Sequence, residues 1–236
     1  MKRPAWAFYF VQGLTLGRIP LIFLFLLISL LAPKPMSSTW FSVAFGAMIL
    51  SALTDLVDGW CARRFNVESR LGAYMDPFTD KIFYLTTLPT LVYLAARSGE
   101  RGHAQLLLGL TVLFLIRDQW VSFLRSIGAL HNVDSRANWS GKVRTLISFP
   151  VICIVYYDLQ APGHWLLQLP AAFVRAAEIA SLAINVLSIW VYTRYYVPVL
   201  RKELRPPEPG ASPGPPSGAA PERGPGTTDA GEEASR

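Results

Sequence analysis

Four aspartates stand out because of where they lie. Asp55, Asp58, Asp76 and Asp80 flank a short polar stretch between two apolar runs. Carboxylates in or at the edge of a membrane-spanning segment are costly, and by default they mark function. Asp55 and Asp58 are three residues apart and share one helix face, while Asp76 and Asp80 are four apart and share a face of the next helix. Helices joined by a short loop lie antiparallel, so the two pairs converge. Four like charges gathered at low dielectric repel one another and are driven toward protonation. A pair of divalent cations removes that conflict, and carboxylate and water oxygens suit Mg2+ or Mn2+. Two such ions about 4 Å apart can clamp a diphosphate and stabilise its attacking and leaving oxygens. Taken singly, each aspartate could be a helix cap, and Asp76 before Pro77 reads as an N-cap with proline at the first helical position. Caps do not account for all four together.

Neighbouring residues fit the same chemistry. Gly59 follows Asp58, and Gly72 precedes Asp76 by one turn; glycine lets a ligand or a backbone approach where a side chain would block it. Arg63 adds a fixed cation beside a phosphate. Arg117 lies inside an apolar run, where a buried guanidinium wants an anion. Asp118 is expected not to supply it, since adjacent helical residues point about 100° apart. Arg117, Arg125, Lys142 and Arg144 fall on the side of the aspartates, which favours an acceptor that itself carries phosphate. Cys61 and Cys153 are far apart in apolar surroundings and read as packing residues.

The elements that must position these groups are membrane helices. The chain has 236 residues, 52% hydrophobic and 16% charged, against about 25% charged in ordinary soluble domains. The excess apolar residues form long runs such as Ile19–Ala32 and Gln105–Ile116, of the kind that cross a bilayer as helices. The fold class is all-α, polytopic, with six predicted transmembrane helices near Leu16–Leu31, Trp40–Val57, Lys81–Ala96, Gln105–Leu124, Leu146–Tyr157 and Ala176–Val197. A short interfacial helix over Trp6–Val11 is expected to precede them, and the first apolar run reads as a retained helix rather than a cleaved leader. Arg63, Arg64, Arg70 and Lys81, then Arg125, Arg136, Lys142 and Arg144, fill alternate connections, whereas residues 158–170 hold no Lys or Arg. That asymmetry puts the basic loops, both termini and the aspartates on the cytoplasmic side. The net charge of +6 is scattered between apolar runs, which suits anionic lipid better than nucleic acid. Residues 1–204 form the membrane domain. Residues 205–236 turn abruptly to Pro, Gly, Ala, Ser and Glu, a composition expected to be a disordered cytoplasmic tail.

The run Asp55-x-x-Asp58-Gly59-x-x-Ala62-Arg63, eight residues, Gly72, three residues, Asp76, three residues, Asp80 resembles the signature of the CDP-alcohol phosphatidyltransferase family at every position. The stretch Gln12–Arg18 is similar to the Asn-x-Leu-Thr-x-x-Arg motif of bacterial members, with Gln12 in place of Asn. Arg117-Asp118 and Gly141-Lys142-Val143-Arg144-Thr145 look like the acceptor-side elements of phosphatidylglycerophosphate synthases, with Arg144 where a second Lys is typical. The resemblance covers roughly residues 10–200. It implies a six-helix membrane fold, often a homodimer, with the active site near the cytoplasmic face of a bacterial inner membrane. The implied reaction moves a phosphatidyl group from CDP-diacylglycerol to a small alcohol and releases CMP. Two Mg2+ or Mn2+ ions would sit on Asp55, Asp58, Asp76 and Asp80, with Asp80 also the general base. Gly59, Ala62, Arg63 and Gly72 would contact the CDP moiety, and Arg117, Lys142 and Arg144 the phosphate of glycerol 3-phosphate. Inositol phosphate, or phosphatidylglycerol as in cardiolipin synthases, is the alternative acceptor. An ion-coupled transporter is the alternative class, disfavoured because such sites lie near the bilayer midplane on broken, repeated helices.

Overall fold

A computed structural model describes residues 5–65, 67, 70–131, 133, 139–163 and 168–204, excluding the side chains of residues 5, 55, 56, 70, 71, 73, 74, 76 and 139–146. The stretch 205–236, expected to be a tail, lies outside the described residues. Six helices and no strand are found among those described: α1 (Ala5–Leu31), α2 (Ser38–Phe65), α3 (Arg70–Arg97), α4 (Arg101–Leu130), α5 (Trp139–Gln160) and α6 (Ala171–Glu203). Among the described residues, four helical stretches are long and apolar enough to cross a membrane: Trp6–Leu31, Ser38–Phe65, Arg101–Leu130 and Ala171–Glu203. The apolar part of α5, Ile147–Gln160, is shorter. Large apolar side chains such as Leu27, Leu50, Val112, Ile179 and Val186 face outward on these helices. On a water-soluble monomer so much exposed apolar surface would be a liability. On an integral membrane protein it meets lipid.

Several boundaries differ from the sequence-based expectation: α2 runs on to Phe65 and α5 begins at Trp139, and two further differences bear on the N-terminal stretch and the aspartates. The aromatic stretch Trp6–Val11 is not a separate interfacial helix, because α1 runs through it without a break. Helix α3 begins at Arg70, about three turns before the expected start. Hydropathy alone could not find those turns, since they carry arginine, aspartate and proline. Asp76 and Pro77 therefore lie in the second turn of α3, not at a cap.

Successive helices alternate in direction, and α1 packs against both α2 and α3. The main core joins Phe25 of α1, Phe41 and Met48 of α2, Leu91 and Leu94 of α3, Leu107 and Phe114 of α4, and Tyr156 of α5. Phe41 and Tyr156 stack with ring centroids 5.9 Å apart. Aromatic pairs of this kind add about 0.5–1.5 kcal/mol beyond the area they bury.

Helices α4 and α6 run parallel and are tied along their length. Arg117 donates to Ser188, Trp120 to Thr193, and Arg125 to the Tyr192 hydroxyl. Gly128 permits the closest approach, because a Cβ there would fall 2.4 Å from Cε1 of Tyr196. At the end away from the aspartates, His103 Nε2 lies 2.6 Å from Glu178 Oε1 and its Nδ1 3.0 Å from Glu100 Oε2. The imidazole thus has a carboxylate oxygen at each of its ring nitrogens. Arg175 closes the cluster onto Glu178 at 3.3 Å and Glu100 at 3.5 Å. Breaking a buried ion pair from one side strands the other charge and costs about 3–5 kcal/mol. Glu178→Ala is accordingly expected to lower the melting temperature in detergent by many degrees, and a melt equal to wild type would show the cluster contributes nothing.

Candidate active site

Two of the four aspartates have described side chains, and α1 holds both. Thr15 and Arg18 are three residues apart on α1 and so share one face of it. The Thr15 hydroxyl lies 2.9 Å from Oδ2 of Asp58 on α2. It is also 3.2 Å from the Val11 carbonyl, and its single proton favours the charged acceptor. Arg18 reaches α3, where it donates to Asp80 Oδ1 at 2.6 Å and to Thr79 Oγ1 at 3.0 Å. The carboxylates of α2 and α3 are thus brought to neighbouring points on one turn of α1.

Their environments differ. Asp58 is 3% exposed, whereas the Asp80 side chain is 48% exposed. Asp55 and Asp76 ride on the same two helices, three and four residues from their partners; their side chains lie outside the described ones. Among the described residues no three histidine, cysteine or acidic side chains gather closely enough to hold a metal alone. Carboxylate and hydroxyl oxygens are donors that suit a hard divalent cation, and here one of them, Asp80 Oδ1, also receives the Arg18 guanidinium at 2.6 Å.

Around this pair, Gly59 and Ala62 are half-buried on α2, and Gly72 is half-buried on the first turn of α3. The exposed Arg63 folds back over Gly59, its Nη1 3.5 Å from where a Cβ would stand. Next to Asp80, Lys81 Nζ lies 3.9 Å from Asp118 Oδ2.

Arg117 is buried, and its Nε and Nη2 donate to Ser188 at 2.9 and 2.7 Å. Its guanidinium sits 5.4 Å from the centre of the Tyr192 ring, which Arg125 also covers at 5.4 Å. The expectation that Asp118 could not approach Arg117 is corrected, since Oδ1 lies 3.9 Å from Nη1. A long guanidinium turns back along the helix far enough to overcome the difference in direction. Lys142 and Arg144 belong to the first turns of α5, with side chains outside the described ones.

The contacts of Thr15 and Arg18 were not foreseen from the sequence. The available signal was a hydroxyl and a cation three residues apart in an otherwise apolar helix.

Comparison with known proteins places the chain among sequence relatives. A sequence model of the CDP-alcohol phosphatidyltransferase family matches residues 10–196. Over 185 residues the chain is 29% identical to a CDP-diacylglycerol–glycerol-3-phosphate 3-phosphatidyltransferase of Escherichia coli, covering 77% of this chain and 90% of that one. The corresponding enzyme 1 of Arabidopsis thaliana, chloroplastic/mitochondrial, is 29% identical over 195 residues, covering 80% of this chain and 63% of its own length. A namesake from Blochmanniella floridana is 33% identical over 100 residues, 41% of this chain and 48% of that one.

A carboxylate buried among helices is a liability to stability unless it serves something else. Asp58→Asn keeps an acceptor for Thr15 and removes the charge, so its melting temperature in metal-free detergent should equal or exceed that of wild type. A fall of several degrees would make Asp58 a structural partner instead.

Proposed function

This chain belongs to the CDP-alcohol phosphatidyltransferase family, and from that premise we propose that it transfers the phosphatidyl group of CDP-diacylglycerol to glycerol 3-phosphate, releasing CMP. The observation that carries the proposal is the meeting of Asp58 and Asp80, from two helices, on one turn of α1. The named relatives act on this donor and acceptor, which supports the choice of acceptor.

The residues divide the work. Asp55, Asp58, Asp76 and Asp80 would hold two divalent ions, Mg2+ or Mn2+, whose charge offsets that of the diphosphate and of departing CMP. Gly59, Ala62 and Gly72 leave room for the CDP moiety, and Arg63 pairs with its phosphates. Asp80, the more open carboxylate, accepts the proton of the acceptor hydroxyl as that oxygen attacks the β-phosphorus in line. The bond from the β-phosphorus to the bridging oxygen breaks, and CMP carries the electron pair away. Lys142 and Arg144 bind the acceptor phosphate, with Arg117 completing the cationic wall.

In this reading all six helices cross the bilayer, α3 with its charged turns at the cytoplasmic boundary. Both termini and the site then face the cytoplasm of a bacterial inner membrane, in accord with the Lys/Arg asymmetry of the connections. A homodimer is the assembly proposed.

Purified full-length protein in detergent, supplied with CDP-diacylglycerol and Mg2+, should release CMP with glycerol 3-phosphate. Release only with inositol phosphate or phosphatidylglycerol would reassign the acceptor, and no release with any of them would overturn the activity. Asp80→Asn should cut turnover by about 10²–10⁴-fold in a protein that still inserts and folds; full activity would remove Asp80 from the base role. Arg117→Ala should raise KM for the acceptor more than KM for the lipid donor. Equal changes in both would make Arg117 a strut between α4 and α6.

A further inference from the structure

We propose that Thr15 and Arg18 of α1 are positioning residues of this site, a hydroxyl and a guanidinium that set the orientation of the Asp58 and Asp80 carboxylates. The proposal rests on the phosphatidyl-transfer reading above and assigns work to two residues which that reading leaves idle. Arg18 is 3% exposed and Asp80 is 48% exposed. The cation is the buried partner, and the carboxylate it holds stands half open. An arginine placed only to neutralise a buried acid would meet the reverse arrangement. Here a side chain anchored in the interior reaches outward and takes one oxygen of a half-open carboxylate, which fixes the direction of that oxygen.

The anchor is itself prepared. The Thr79 hydroxyl is fully buried and donates to the Met75 carbonyl at 3.1 Å, which turns its lone pairs toward Arg18 Nη1 at 3.0 Å. One arm of the fork is thereby fixed to α3 independently of Asp80, and the other meets Asp80 Oδ1 at 2.6 Å. A lysine ammonium supplies charge without this planar fork. Thr15 does for α2 what Arg18 does for α3, from the same face of α1 and one turn away. Hydrogen bonds that orient ligating carboxylates typically matter by about 10–100-fold in metal affinity or activity.

The test uses full-length protein in detergent with Thr15→Val, Thr15→Ser, Arg18→Gln and Arg18→Lys. Three readouts are taken: Mn2+ binding without substrate, from the electron paramagnetic resonance signal of free Mn2+; kcat and KM for CDP-diacylglycerol; and the melting temperature. Thr15→Val and Arg18→Gln should each weaken Mn2+ binding and lower kcat by about 10–100-fold, with KM little changed and melting within a few degrees of wild type. Thr15→Ser should recover the loss, and Arg18→Lys should recover only part of it. Unchanged Mn2+ affinity and kcat in the folded variants would overturn the proposal. So would losses that merely track a falling melting temperature. Should Arg18→Gln fail to fold, the two Thr15 variants and Arg18→Lys decide by the same criteria. Wild-type protein that neither binds Mn2+ nor releases CMP would instead refute the parent reading.

Discussion

A polar group carried into the bilayer by an apolar helix has to be answered by another helix, because lipid offers neither donors nor charge. Apolar faces discriminate poorly among partners in this setting, since lipid tails are as apolar as leucine. Which helices meet, and at what height, is therefore decided largely by polar contacts. In this protein Asp58 is answered by Thr15, Asp80 by Arg18, Arg117 by Ser188 and His103 by Glu178. Each joins two helices through residues at least 43 positions apart in the chain.

Helix α1 has the central part in this. It lies against α2 and α3 together, and one of its turns reaches both. Among the described residues α2 and α3 scarcely touch each other, so their relative height and rotation are set through α1, which packs on both. The Thr15 and Arg18 contacts fix both at the level where the aspartates lie. The rest of α1 continues into the aromatic core through Phe25, whose ring meets that of Tyr156 at 5.0 Å. The polar contacts thus lie near the middle of α1, with its hydrophobic packing continuing toward Leu31.

Much of this was legible in the residues. The apolar runs gave the helical class and the six helices found among the described residues, four of which are long and apolar enough to cross a membrane. Family membership followed from eight identities at fixed spacing. What escaped had physical reasons. The first turns of α3 carry charge and proline, so a hydropathy profile ends before the helix does. Thr15 and Arg18 were visible as a motif, but their partners lie 43 and 62 residues away, and no local pattern encodes such a distance. The same holds for Glu178, 75 residues from the histidine it meets. Arg117 was recognised as anomalous within its run, yet the serine and tyrosine that receive it belong to α6 and carry no charge to announce them.

The lengthwise fastening of α4 to α6 has a mechanical corollary. His103, Arg117, Trp120, Gly128 and His131 all engage α6, over a span of about 40 Å at 1.5 Å per residue. A slip of one helical turn would undo every one of these engagements at once. The two helices therefore move as a single splint, and Arg117 travels with it. Through Asp118 and Lys81 that splint abuts the residue beside Asp80. A substitution deep in α6, such as at Ser188 or Tyr192, is thereby linked to α3 only through this short chain of charged side chains.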